Sequence, residues 1–190
     1  DINNINPLIP AAGESRRFRN ENYKKSKIYL DVNGLSMIPS IINSFKKEIS
    51  IKILIQEKDF SQKEFNQKKE DIIKISKKTD GQADSALKLI EKVDNNNPLL
   101  IHSSDCILDK NIKIEIQNFD IIVFTKSGYR RAFEEYKNYG WINSKKDEII
   151  SLSIKSSPRS KDSNVIIGTF LFKNKEIYKE LYTETKKQKT

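Results

Sequence analysis

The chain has 190 residues, long enough to bury a real core, and is read as a single domain. It is 36 % hydrophobic and 32 % charged with a formal charge of +9, which suits a polyanionic partner: nucleic acid, an anionic membrane face or a phosphorylated small molecule. Its lysines are scattered and never interleaved with aromatics, which argues against a nucleic-acid groove, and no apolar run is long enough to span a bilayer.

In chain order, Leu8 to Ala11 reads as a short buried strand bounded by proline and glycine. It runs into Ala11-Ala12-Gly13-Glu14-Ser15 and then a basic segment containing Arg17 and, further on, Lys27. Small residues admit a ligand close to the backbone, and free amides at such a turn attract anions. Arginine offers phosphate a fork and lysine a mobile charge. Ile28 to Val32 reads as extended, Asn33-Gly34 as a turn, and the apolar spacing from Met37 to Phe45 as a helix with Ser36 as N-cap.

Ile51 to Ile55 is a strong strand, 59–69 reads as helical, and Ile72 to Ile75 as a strand leading to Thr79-Asp80-Gly81. A helix is expected from near Gln82 to Val93, followed by a buried strand at Leu99 to Ile101 that ends in His102-Ser103-Ser104-Asp105. Ile112 to Ile116 is ambiguous, and Ile121 to Thr125 is another strand. Tyr129, Arg130 and Arg131 read as a solvated loop. Tyr139 to Ile142, Ile149 to Ile154 and Val165 to Phe172 are strands, and Asn174 to Tyr182 is a closing helix.

The alternation predicts an α/β fold: three layers, a mostly parallel mixed sheet with helices on both faces, and a strand-rich C-terminal extension. The alternating part spans about 1–125 and the strand-rich part about 126–190. The lone cysteine, Cys106, excludes an internal disulfide, fits a cytoplasmic location and reads as a small buried side chain. His102 reads as a packed residue. The first residue is not Met, so either end is open to having been cut from a longer chain.

Open α/β sheets bind ligands at the carboxyl ends of their strands. Gly13 to Arg17, Gly81-Gln82-Ala83 and Asp105 all fall at such ends. A carboxylate there can ligate Mg²⁺, and it can equally cap a helix.

The ordered set Ile9-Pro10-Ala11-Ala12-Gly13-Glu14-Ser15-Arg16-Arg17-Phe18, Tyr23 to Lys27, Leu30 to Ile38, Gly81 to Leu87, Leu99 to Cys106, Tyr139 to Ile142, Ile154-Lys155 and Gly168 to Phe172 resembles the sugar-phosphate nucleotidyltransferase family over nearly the whole chain. The resemblance implies a Rossmann-like (GT-A-like) fold and transfer of a nucleotidyl group from an NTP to a phosphorylated acceptor, releasing pyrophosphate. It implies that Arg17 and Lys27 are catalytic and that Ala11, Ala12, Gly13, Glu14, Ser15, Gly81, Gln82 and Ala83 bind nucleotide. Asp105 would hold Mg²⁺, and Lys155, Gly168, Tyr139 and Gly140 would bind acceptor. CTP, dTTP and UTP all fit, and the product would feed surface (capsule) polysaccharide.

Ser15 stands where the family has a second glycine, Arg16 where it has Ser or Thr, and Ser26 where it has proline. The family also continues past the closing helix, so a C-terminally truncated member is expected. A catalytically silent NTP-binding module and a GT-A glycosyltransferase are the alternatives. The latter wants Asp-x-Asp, which Asp105-Cys106-Ile107-Leu108-Asp109 does not supply. Oligomeric state is not legible.

Overall fold

The opening apolar run forms β1 (Asn6–Pro10) at the centre of a parallel sheet, between β4 (Ile51–Gln56) and β6 (Leu99–Ile101). A computed structural model describes residues 4–13, 26–45, 48–65, 70–109, 112, 118–146 and 148–188. Proline is unusual in a central strand. Here the pairing with β6 runs from Asn6 to Leu8 and that with β4 from Leu8 to Pro10. Asn6 donates to Pro98 and His102 to Leu8, so even-numbered groups face β6; Ala11 donates to Leu54, so odd-numbered ones face β4. Pro7 therefore precedes the β4 ladder and Pro10 follows the β6 ladder, and neither missing N–H breaks a pairing.

The chain divides into two compact units, one made of Asp1–Ile121 with Leu171–Thr190, the other of Ile122–Phe170. In the first, β5 (Glu70–Ile75) extends the parallel sheet beyond β4. Leu8, Leu54, Leu99 and Ile101 face one side, where they pack with Ala86, Leu89 and Ile90 of a helix at Gln82–Ile90 and with Tyr178 of the C-terminal helix. Ile9, Ile51, Ile53 and Ile55 face the other, against Ile38, Ile41 and Ile42 of α1 (Met37–Ser44). The Gln82–Ile90 helix is α2. Burial on both faces explains why the strands read as unbroken apolar runs.

Local expectations shift in several places. Ser36 precedes α1 but its side chain makes no cap; instead Ser40 Oγ donates back to Ser36 O at 3.0 Å. Residues 28–32 are less extended than expected: Lys27–Tyr29 form a 3-10 turn, and only Asp31–Val32 (β2) pair with Leu35–Ser36 (β3). Asn33 and Gly34, at φ 53° and 87°, give the left-handed turn a two-residue hairpin needs.

The expected helix over 59–69 is replaced, where described, by 3-10 turns at Glu57–Asp59 and Gln62–Glu64. Tyr29 is the reason. Its hydroxyl donates to Asp59 O at 2.6 Å and accepts from Ser61 N at 3.1 Å, taking backbone groups a helix would use. Residues 113–116 of the ambiguous segment lie outside the described residues.

The second unit holds all but the first residue of β7 (Ile121–Lys126), α3 (Arg130–Glu134), β8 (Gly140–Lys145), β9 (Glu148–Ile154) and all but the last two residues of β10 (Asn164–Phe172). The β8 strand is antiparallel to both β9 and β10, and β7 pairs β10. Trp141, Ala132 and Val165 form its core, ringed by Phe133, Tyr136 and Tyr139. Arg130 and Arg131 open a helix here, not a loop, and pair one turn on with Glu134 and Glu135.

The closing helix, α4 (Lys175–Lys187), starts at an Asn174 cap that accepts from Ile177 N. It runs past the expected end at Tyr182, and in that stretch Thr183 and Thr185 donate back to the carbonyls of Lys179 and Leu181. It belongs to the first unit, with Tyr178 and Tyr182 packed on the α2 side of the sheet. Among the described residues no helix is long and apolar enough to cross a membrane.

His102 is fully buried and sits edge-on to Phe45, with ring centroids 5.7 Å apart. Burial pushes its pKa from 6.5 down to about 4, although the Asp105 charge and a Cys106 backbone bond work the other way. The native state therefore keeps it neutral where the unfolded chain would protonate it. Between pH 6.5 and about 4 the unfolded state binds more protons, and stability falls by up to about 3 kcal/mol. Urea denaturation across that window is expected to show this loss in the wild type and a shallower one in His102→Leu. Identical pH dependence in both would show that His102 is not the group responsible.

Candidate functional site

Three loops leave the carboxyl ends of the parallel strands and line one cavity of about 640 Å³ within the first unit. Ala11, Ala12 and Gly13 follow β1. Ala11 N donates to Leu54 O at 2.8 Å, and the buried Gln56 side chain donates to Ala12 O at 3.2 Å, which ties this turn to the end of β4. A Cβ at Gly13 would meet nothing within 4 Å and the residue has no left-handed backbone, so among the described residues neither packing nor strain calls for glycine there. Glu14, Ser15 and Arg17 lie outside the described residues.

Lys27 reaches the same cavity from the 3-10 turn that follows. Its neighbour Ile28 is fully buried in the α1-side core and fixes the turn. Ser26, which stands where the resemblance has proline, sits at φ −60°, a value proline itself would impose.

Asp105 follows β6. Lys27 Nζ donates to Asp105 Oδ2 at 2.9 Å, and Ser103 Oγ donates to Asp105 Oδ1. Burial would raise the Asp105 pKa, but the Lys27 ammonium and the Ser103 hydroxyl outweigh it and hold the carboxyl below its usual value. The Lys27 and Asp105 side chains are 22 % and 56 % exposed, so solvent screens the pair and its contribution to stability is small. Its importance is positional. Cys106 is half-buried, less enclosed than expected, and burial raises its thiol pKa.

The third loop precedes α2. Gly81, at φ 111° and ψ −168°, adopts a conformation few other residues can, and its carbonyl accepts from Ser85 N. The buried hydroxyls of Thr79 and Ser85 meet at 2.6 Å, and Asp80 N donates to Asp84 Oδ2 at 3.1 Å. Gly81 and Gln82 line the cavity, while Ala83 directs its carbonyl to Tyr178. Lys78, Thr79, Asp80 and Ser85 also line it and were not singled out from sequence. Ser85 was within reach of that reading, since it lies three residues after Gln82 on the same helix face.

The expected acceptor residues lie in the second unit. Lys155 N donates to Tyr139 O at 2.9 Å, and Gly140 pairs with Ile154, so three of the four are neighbours. A Cβ at Gly140 would meet Ile166 Cδ1 at 3.0 Å, so a side chain there would make that methyl shift. Lys155 and Gly168 both have positive φ, 53° and 75°.

Among the described residues no three His, Cys, Asp or Glu side chains cluster as a metal cage. Asp105 supplies one carboxylate at the cavity, with Ser103 and Ser104 beside it. That donor set fits Mg²⁺, which takes one or two carboxylates and completes its shell with phosphate and water.

Neither protein-family models nor curated proteins match the sequence. Solved structures do match. A nucleoside-diphosphate-sugar pyrophosphorylase from Vibrio cholerae RC9 is similar over 95 % of this chain and 78 % of its own, at 22 % identity and TM-score 0.76. The inositol-1-phosphate CTP transferase from T. maritima covers 93 % of this chain with 72 % of its own, at 14 % identity and TM-score 0.69. The CMP:2-keto-3-deoxy-manno-octonic acid synthetase complexed with CTP covers 94 % with 77 % of its own, at 11 % identity and TM-score 0.64. The chain has the sugar-phosphate nucleotidyltransferase fold.

Proposed function

We propose that this protein is a nucleotidyltransferase that joins the nucleoside monophosphate of an NTP to a phosphorylated small molecule, a sugar phosphate being the favoured class. The observation that carries the reading is the cavity at the strand ends, lined both by Lys27 and Asp105 in contact with each other and by the Gly81 turn. An acceptor phosphate oxygen attacks the α-phosphorus in line. The bond from that phosphorus to the bridging oxygen of the β-phosphate breaks, and pyrophosphate leaves. No proton need be removed from an ionised phosphate, so His102, buried and neutral, has no part as a base. Catalysis then rests on positioning and charge compensation.

In this scheme the Ala11-Ala12-Gly13-Glu14-Ser15 turn receives the triphosphate, Arg17 holds the departing pyrophosphate, and Lys27 offsets charge at the α-phosphate. Gly81, Gln82 and Ala83 attend the base and ribose. Cytosine, thymine and uracil are the candidate bases. Bound at Asp105, Mg²⁺ would neutralise phosphate charge. Lys155 meets the acceptor phosphate, with Tyr139, Gly140 and Gly168 in the acceptor region. The product would serve surface polysaccharide assembly, and the reaction would run in the cytoplasm.

A thermal-shift panel of NTPs with Mg²⁺ is expected to show stabilisation by CTP, dTTP or UTP above the others. Arg17→Ala, Lys27→Ala and Asp105→Ala should each weaken that ligand roughly tenfold or more, since each loses a charge-assisted contact. No shift with any NTP would contradict the reading.

Pyrophosphate release with a panel of sugar 1-phosphates is expected for the wild type. Lys27→Ala should lower kcat/KM by roughly 10²–10³. NTP binding without pyrophosphate release across the panel would reduce the protein to a binding module of the same fold.

A further inference from the structure

The C-terminal helix touches the wall of the cavity through side chains spaced four apart on one face. Tyr178 donates its hydroxyl to Ala83 O at 2.7 Å. Tyr182 donates to Asp84 Oδ1 at 2.9 Å. Lys186 Nζ pairs with Asp80 Oδ2 at 3.3 Å. All of these meet the Thr79–Asp84 segment, whose Thr79, Asp80, Gly81 and Gln82 line the cavity.

Asp84 is the joint. One of its oxygens accepts from Asp80 N and so closes the turn; the other is held by Tyr182. Gly81 sits at φ 111° between them, a conformation with few alternatives once its ends are fixed. The Lys78–Gln82 part of the lining is thereby tied to α4 by hydroxyl donors, whereas the Lys27–Asp105 part is placed by Ile28 and by the end of β6, where Tyr178 contributes ring packing that phenylalanine would keep.

We propose that Tyr178 and Tyr182 are positioning residues for nucleotide recognition: they set the Gly81 turn, and through it Gln82, against the base. The inference rests on the nucleotidyltransferase reading above. It predicts a split between the two ends of the nucleotide. Losing the hydroxyls should disturb recognition of the base and leave recognition of the phosphates alone. Both rings pack, Tyr178 edge-on to Phe172 at 4.9 Å and stacked with Tyr182 at 6.4 Å. Phenylalanine keeps that packing and removes only the donors.

The test is calorimetric titration of wild type and the Tyr178→Phe/Tyr182→Phe double variant, in Mg²⁺, with CTP, dTTP, UTP and tripolyphosphate. The double variant should bind the preferred NTP roughly tenfold more weakly, as two lost hydrogen bonds would give, with a smaller preference among the NTPs. Its affinity for tripolyphosphate should stay within about twofold of wild type, a split that a general loosening of the fold would not produce. Equal losses for NTP and tripolyphosphate, or no loss for either, would overturn the inference while leaving the nucleotide reading standing. A wild type that binds no NTP overturns both. If the double variant does not fold by circular dichroism, Tyr182→Phe alone is put through the same comparison, with a proportionately smaller loss expected.

Discussion

The contact between the Lys27 ammonium and the Asp105 carboxylate joins residues 78 apart in sequence and brings two strand-end loops to one cavity. Neither residue lies in a regular strand. Lys27 is placed by the burial of Ile28 beside it, and Asp105 by the end of β6 and by Ser103. Half-exposed as it is, the pair adds little to stability. It holds a cation and an anion at the spot where the proposed reaction needs both. A phosphate that takes Lys27 must compete with Asp105, and in doing so it frees that carboxylate for a divalent cation.

The sheet makes this arrangement possible by separating its duties. One face carries the isoleucines of β1 and β4 against α1, the other the leucines of β1, β4 and β6 against α2 and α4. The cavity forms where the strands end, so its loops are free to carry polar groups. Its two sides are braced differently: Lys27 and Asp105 by the strand ends and a buried isoleucine, the Gly81 turn by the tyrosines of α4.

The strands were legible because burial on both faces leaves an unbroken apolar signal, as at Leu99 to Ile101. The cavity's Gly81 station was legible for a related reason, since a glycine before an amphipathic helix marks a backbone bend. Local patterns failed where a distant side chain intervened. Tyr29 captures the backbone at Asp59 and Ser61, and no periodicity within 59–69 records it. The run of α4 past Tyr182 was hidden because its polar last turns face solvent, where no hydrophobic pattern is needed. Lys78 and Asp80 went unremarked because cavity-lining charges look like any others in a chain so rich in lysine. The roles proposed for Lys155 and Gly168 came from resemblance and not from spacing.

The most direct measurement is anomalous diffraction from crystals grown with the preferred NTP and Mn²⁺ in place of Mg²⁺. The account predicts a manganese peak at the Asp105 carboxylate, with the triphosphate at the Gly13 turn and Lys27 turned from Asp105 onto phosphate. A nucleotide bound away from this cavity, or manganese bound with no contact to Asp105, would contradict it.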